Sequence, residues 1–176
     1  MKMKIFGVLA LVMVFAAVGF CLFRRAKIQH GIHAIESMGG AVSVHETSLG
    51  GPTRVSLKLE GVPSNANDQN ILLNASALRG LSSVRRLKAG DSPLGDAGFK
   101  LLLEWWGSSL EHVDISETKV SSNGVTMAFS CPSLKELLVS AEQIDSGIMD
   151  SVEQRPELNV IVSGKKQINE AGDDRL

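Results

Sequence analysis

The first part of the chain is an unbroken apolar run. Residues 5–23 (IFGVLALVMVFAAVGFCLF) contain no charged and no strongly polar side chain. At about 1.5 Å of rise per residue, a helix over this run measures roughly 28 Å, close to the hydrocarbon thickness of a bilayer. Burial in a water-soluble core is disfavoured, because the run is apolar on every side. The pattern predicts a transmembrane helix. We assign residues 1–25 to a single-pass membrane anchor that contacts the lipid bilayer through residues 5–23.

A cleaved secretory signal is the alternative for this segment. Such signals also combine basic residues with an apolar run, and Val14-Phe15-Ala16 forms an acceptable cleavage site. Cleavage there would leave the apolar N-terminus AVGFCLFRR, which favours the uncleaved signal anchor. The positive-inside rule leaves open which side of the membrane the rest of the chain occupies, because basic residues flank both ends of the run. These residues are Lys2, Lys4, Arg24, Arg25 and Lys27.

Helix and strand patterns follow the anchor. Residues 26–38 place four apolar side chains on one helix face, and Gly39 and Gly40 follow where a left-handed residue often ends a helix. Residues 41–44 and 55–59 alternate as strands do, 48–53 are rich in turn residues, and 62–70 predict a polar loop. We therefore expect an N-terminal cap helix and first strand over 26–53. The four apolar helix residues are Ile28, Ile32, Ile35 and Met38.

An apolar pattern repeats along the remainder of the chain. Its unit is apolar-x-x-apolar-x-apolar, then a turn with one further apolar residue, then a short helical stretch. Units begin at Val84, Leu110, Leu134 and Leu158, spaced by 26, 24 and 24 residues. Parallel strands stacked in this way share one core and need helical crossovers. The later strand positions predicted to point inward are Leu87, Ala89, Val113, Ile115, Leu137, Val139, Ile161 and Ser163, and the fourth unit continues to Ile168 and Gly172.

Polar residues mark the start of each predicted helix. Asp96, Ser122, Ser146 and Glu170 occupy one position of the repeat, and the first three favour a helix N-cap. In the first of these helices Trp106 lies seven residues after Phe99, on the same face. We expect Trp106 to be buried, and Trp105, about 100° away, to be partly buried.

Two segments resemble leucine-rich repeats of the cysteine-containing and ribonuclease-inhibitor-like kind. They are LEHVDISETKVSSNG and CPSLKELLVSAEQIDS, which carry a T-x-V-x-x-x-G turn and a CPxLKxL opening. The similarity covers 84–172, with a looser unit over 54–80, and AIESMGG resembles the lead-in of small membrane-anchored bacterial repeat proteins. The resemblance implies an α/β fold: a short solenoid over 54–176 of four to five repeats, with the parallel sheet on the concave side and helices on the convex side. It implies an interaction scaffold without naming a ligand.

The strand residues between the inward positions are expected on the concave face, where solenoids bind partners. Six of them form the candidate face: Arg86, Lys88, His112, Asp114, Glu136 and Leu138. Val160 and Val162 continue this register in the last unit. Lys88 and Asp114 are expected to pair across neighbouring strands, as opposite charges do. A solvated surface with neutralised charges is the alternative to a protein-binding surface.

Composition narrows the function further. Eighteen basic and nineteen acidic residues give a net charge of −1, which argues against binding nucleic acid by phosphate neutralisation. Two cysteines exclude a disulfide scaffold. Cys131 is expected to be a buried thiol, and Cys21 lies in the membrane run. His30, His33 and Glu36 recur at three-residue spacing, but opposite the apolar face, so they are expected in solvent.

The sequence therefore predicts a binding protein. It contains no G-x-S-x-G, P-loop, H-E-x-x-H or dinucleotide-binding motif, so we expect no enzyme activity, no cofactor and no metal. The favoured function is a membrane-anchored leucine-rich repeat scaffold for protein–protein interaction. The alternatives are an exported envelope protein with a cleaved signal and a structural role, and an inhibitor or accessory subunit of an enzyme.

Overall fold

A computed structural model describes residues 2–45, 54–59, 65–81 and 83–163. The side chains of 1–12, 14, 45 and 54 lie outside this description. The helices are α1 (Lys2–Ser37), α2 (Asp68–Leu73), α3 (Ala75–Leu78), α4 (Asp96–Trp106), α5 (Ser122–Ala128) and α6 (Ser146–Glu153), with a 3-10 turn at Ala141–Gln143. The strands are β1 (Ala41–His45), β2 (Arg54–Lys58), β3 (Val84–Lys88), β4 (His112–Asp114), β5 (Glu136–Ser140) and β6 (Asn159–Ser163).

The six strands form one sheet in chain order, β1-β2-β3-β4-β5-β6. β1 and β2 are antiparallel, and every later pair is parallel. Helical segments connect the parallel strands, since a parallel pair cannot be joined by a tight turn. The helices contact one another as neighbours, α1 with α3, α2 with α4, α4 with α5, and α5 with α6. The predicted α/β class with a mainly parallel sheet is confirmed.

One hydrophobic core lies between the sheet and the helices. The repeat predicts most of its strand residues, and the helices contribute Phe99, Leu102 and the predicted Trp106. Removing these side chains from water stabilises the fold by about 25 cal/mol per Å² of apolar surface. The inward residues of the first three repeats that the structure buries are Val84, Leu87, Ala89, Leu94, Leu110, Val113, Ile115, Val120, Leu134, Leu137 and Val139.

The cap helix predicted over 26–38 is the last part of α1, which is unbroken from Lys2 to Ser37. Ile35 and Met38 are buried in the core, and Ile28 and Ile32 pack against it. Gly39 has a φ of 83°, so it supplies the left-handed residue predicted at the end of this helix. In the part of the chain that the structure describes, no helix is long and apolar enough to cross a membrane.

Two local predictions need correction. The polar loop predicted over 62–70 is wrong for its last three residues, because α2 begins at Asp68, where the Asn67 side chain accepts a hydrogen bond from the Asn70 amide. The predicted N-cap residues are displaced by one. α4, α5 and α6 begin at the predicted positions, but their N-cap residues are Gly95, Ser121 and Asp145. The predictions at 48–53, 62–64, Ile168, Glu170 and Gly172 fall outside the described residues.

The register predicted for the last strand is also wrong. Val160 and Val162, assigned to the concave face, are buried, whereas Ile161 and Ser163, assigned to the core, are only partly buried. Leu137 pairs with Val160, 23 positions later, and not with Ile161 at 24. Successive strand residues point to opposite faces, so a shift of one residue exchanges the two sets.

Candidate functional site

The six residues of the candidate face line one cavity on the surface of the sheet. Its volume is about 260 Å³, and Leu87 and Val113 also line it. Each strand contributes alternate residues, two from each of β3, β4 and β5, because the residues between them point into the core. The structure therefore brings together all six predicted site residues: Arg86, Lys88, His112, Asp114, Glu136 and Leu138.

Strand pairing arranges these residues in two rows that cross the sheet. Arg86 pairs with His112, and His112 with Glu136. Lys88 pairs with Asp114, and Asp114 with Leu138. Both rows have a cation on β3. The anionic group lies on β5 in the first row (Glu136) and on β4 in the second row (Asp114). The predicted adjacency of Lys88 and Asp114 is confirmed in the backbone register.

The rows extend onto the neighbouring strands. Ser56 lies beside Arg86 and Lys58 beside Lys88 on the β2 side. On the β6 side, Asn159 lies beside Glu136 and Ile161 beside Leu138. The second row consequently runs from two lysines through one carboxylate to two apolar side chains. A complementary partner would present acidic groups toward β2 and β3 and apolar groups toward β5 and β6.

The Asp114 carboxylate is oriented by the turn that follows β4. Its Oδ1 accepts hydrogen bonds from the Ser116 amide at 3.1 Å and from the Ser116 hydroxyl at 2.7 Å. These two bonds fix the orientation of the carboxylate, which lines the cavity. The chain reverses there through strained backbone, since the nearby Glu117 has a φ of 56°.

His112 occupies the centre of the first row. Its Nδ1 lies 3.7 Å from Glu136 Oε1, too far for a hydrogen bond, and this nitrogen is buried without a hydrogen-bond partner in the described structure. The side chain is 30% exposed, so the ring remains partly accessible in the cavity.

A second polar cluster lies where the parallel strands begin, and it was missed by the sequence-based predictions. The Glu111 carboxylate contacts the Arg85 guanidinium, and its Oε2 lies 3.2 Å from Lys135 Nζ. Burial raises the pKa of Glu111, but the hydrogen bond from Lys135 and the charges of both cations outweigh this, and the pKa lies below its ordinary value. Each residue directly follows the first apolar residue of its repeat. Comparing this position across the repeats would have revealed the alternating charges.

The remaining predicted residues occupy ordinary structural environments. Trp105 is partly buried and lies edge-on to Trp106, with ring centroids 6.2 Å apart. Burial raises the pKa of the Cys131 thiol, and both Cys21 and Cys131 are unpaired. The exposed residues of the cap helix are His30, His33 and Glu36. Within the described residues, no group of three or more His, Cys, Asp or Glu side chains could hold a metal ion.

The geometry of the candidate face suits recognition by charge and shape. It offers a shallow mixed-charge cavity and an adjacent apolar end, both on rigid strands. No model of a known protein family matches this chain, and no curated protein matches it.

Proposed function

We propose that this chain is a membrane-anchored leucine-rich repeat protein whose candidate face binds a protein partner. The observation that carries the proposal is the convergence of all six predicted residues on one cavity. Charges of both signs lie there beside apolar side chains, an arrangement that suits a protein partner of complementary charge better than a small apolar ligand.

The repeat assignment is supported by the strand spacing. The parallel strands β2 and β3 pair across two helices at 30 residues, Leu57 with Leu87, whereas from β3 to β6 the intervals are 26, 24 and 23 residues and each contains one α-helix. The three intervals from β3 to β6 fall within the leucine-rich repeat range. A solenoid of this kind presents a continuous strand surface on its concave side, where the candidate face would lie.

The anchor assignment is supported by residues 5–23, which hold no charge and have the length of a bilayer-spanning helix. The chain would then be a single-pass membrane protein, with the repeat domain held at one surface of the bilayer. Extraction of membranes at alkaline pH, with sequencing of the N-terminus, tests this assignment. A retained, full-length chain is expected. Release of a chain beginning near Ala17 would instead support the exported, cleaved form.

Site-specific photo-cross-linking tests the binding surface. A benzophenone amino acid at Leu138, on the candidate face, should cross-link a partner in native membranes. The same probe at Met149, an exposed apolar residue of α6, is the matched control and should not. Cross-linking from Met149 but not from Leu138 would refute the candidate face as the interface.

Charge reversal identifies the chemistry of the contact. Arg86→Glu should abolish the Leu138 cross-link. The new glutamate would face the acidic groups expected on the partner, and like charges across an interface are costly. Lys100 is an exposed cation of α4, and the control variant Lys100→Glu should leave the Leu138 cross-link intact. Mass spectrometry of the cross-linked species distinguishes a non-catalytic partner from an enzyme, and an enzyme would favour the inhibitor or accessory-subunit function.

A further inference from the structure

The path of α1 defines which edge of the sheet lies nearest the proposed anchor. Just after its C-terminal end, Gly40 approaches the Lys58 carbonyl, where β2 ends. Nine residues earlier, Gly31 of α1 approaches Leu81, which precedes β3. Moving toward the N-terminus, α1 therefore travels from the edge where the parallel strands end to the edge where they begin.

α1 continues past this second edge without a break. The backbone of Lys27 lies beside Gly80, with 3.1 Å between the Lys27 oxygen and an ideal Gly80 Cβ position. Phe23, the last residue of the apolar run, is four residues further, or about 6 Å along the helix. The Lys27 ammonium lies 4.8 Å from the Phe23 ring centroid. No flexible linker separates the run from the folded domain, because α1 is one helix from Lys2 to Ser37.

We call the described residues of the loops leading into β3–β6, together with Arg85, the amino edge: 79–81, 83, 85, 107–111, 129–135 and 154–158. It holds four cations and two carboxylates. The Glu111 carboxylate forms ion pairs with both Arg85 and Lys135. Arg155 has a structural role, since it donates hydrogen bonds to the carbonyls of Phe129 and Cys131.

Two amino-edge cations remain on the surface. Arg79 is exposed, and the Lys135 side chain is 67% exposed. Arg24 and Arg25 are exposed on the adjoining turn of α1. Anionic phospholipids attract such juxtamembrane cations.

The opposite edge has the reverse charge. The loops leading out of β3, β4 and β5 (89–95, 115–121 and 141–145) hold one cation, Lys119, against four carboxylates. These carboxylates are Asp91, Glu117, Glu142 and Asp145. The domain is thus electrically polar along the strand direction, which is also the direction in which α1 leaves it.

We propose that the amino edge is a lipid-contact surface that binds anionic phospholipid headgroups through Arg24, Arg25, Arg79 and Lys135. This inference rests on the proposed membrane anchor. Since the helix places the amino edge within about one turn of the bilayer boundary, headgroups are its nearest neighbours. The acidic edge points away from the bilayer, and the candidate face opens sideways, along the membrane plane.

Lysine footprinting of the full-length chain tests the contact. The chain is reconstituted into phosphatidylcholine vesicles with or without phosphatidylglycerol, acetylated, and analysed by mass spectrometry. Phosphatidylglycerol should slow acetylation of Lys135 about fivefold, the scale of the attraction of one cation to an anionic surface. High salt should reverse the effect, because it screens exposed charges. The exposed Lys100 and Lys119 are internal controls and should react equally in both vesicles.

A pair of variants isolates the role of charge. Arg79→Glu should reduce the phosphatidylglycerol-dependent protection of Lys135, because it replaces one attractive charge of the surface by a repulsive one, whereas Lys100→Glu should preserve the protection. Equal acetylation of Lys135 in both vesicles, or equal protection of Lys119, would overturn the lipid-contact surface.

Alkaline extraction of the same vesicles separates the two proposals. A chain that is released overturns the anchor and the lipid contact together. A chain that is retained, with Lys135 unprotected, overturns the lipid contact alone and leaves the anchor standing.

Discussion

Leu137 of β5 pairs with Val160 of β6, 23 positions later, whereas Val113 pairs with Leu137 at 24 and Leu87 with Val113 at 26. The last repeat has lost one residue at the start of its strand. Leu134 and Leu137 are separated by two residues, but the corresponding Leu158 and Val160 are separated by one. The shortened unit keeps Leu158 and Val160 buried. It turns Ile161 to the outer face of the sheet, which is the side that carries the candidate face, and there Ile161 lies beside Leu138.

This register makes opposite predictions for two adjacent residues. Val160→Asp should destabilise the fold by about 3–5 kcal/mol, because it buries an unpaired charge in the shared core. Ile161→Asp should cost about 1 kcal/mol or less, since the side chain lies on the outer face. Urea unfolding in detergent micelles, followed by circular dichroism, measures both. A larger loss for Ile161→Asp would restore the 24-residue register and refute the one described here.

Gln143 is predicted to be a major polar contributor to stability. Its Nε2 donates hydrogen bonds to the carbonyls of Ile115 and Val120 at 3.0 Å each, and its Oε1 accepts one from the Ser140 amide at 2.7 Å. Gln143→Ala should cost about 2 kcal/mol, because it removes the side-chain partners of the Val120 carbonyl and the Ser140 amide, whereas the Ile115 carbonyl keeps its hydrogen bond from the Thr118 hydroxyl. The exposed Gln154→Ala is the control and should change the free energy of unfolding by less than about 0.5 kcal/mol. Equal changes in the free energy of unfolding for the two variants would show that the hydrogen bonds of Gln143 add no measurable stability.

Glu117 is predicted to cost stability through its backbone. Its φ of 56° is unfavourable for a residue with a Cβ, and glycine removes this penalty. Glu117→Gly should stabilise the protein by about 0.5–1 kcal/mol, since its amide can still donate to Ser140 Oγ. Glu142→Gly, in the 3-10 turn, should instead destabilise by a similar amount. Thermal unfolding distinguishes the two, and a loss of stability in Glu117→Gly would contradict the argument.

Glu111 is predicted to make the fold sensitive to acid. Its folded-state pKa is lowered, so its contribution is present above the ordinary glutamate value of about 4.3 and is lost as the pH falls through the folded value. Glu111→Gln should cost about 1 kcal/mol at neutral pH and flatten the fall in stability below that value. Lys135→Met should remove part of the same pH dependence. The measurement is the free energy of unfolding against pH, and parallel curves for all three proteins would refute the prediction.

The sequence specified the regular parts of this protein. Apolar spacing alone predicted β3, β4 and β5, the helices that follow them, and the burial of Trp106. It also predicted the six residues of the candidate face, because side-chain alternation along a strand is a local rule. The cap helix and its left-handed Gly39 followed from local patterns in the same way.

Only the tertiary structure decided the remaining features. The register of β6 depends on how a shortened strand aligns with β5, and the apolar runs around Leu158 fit two alignments equally well. The hydrogen bonds from Gln143 to the Ile115 and Val120 carbonyls join residues more than 20 positions apart, and nothing in the residues beside Gln143 marks them. The opposed charges of the two edges arise because stacking places separate loops side by side. Each of these depends on which distant segments become neighbours, and local periodicity carries no information about that.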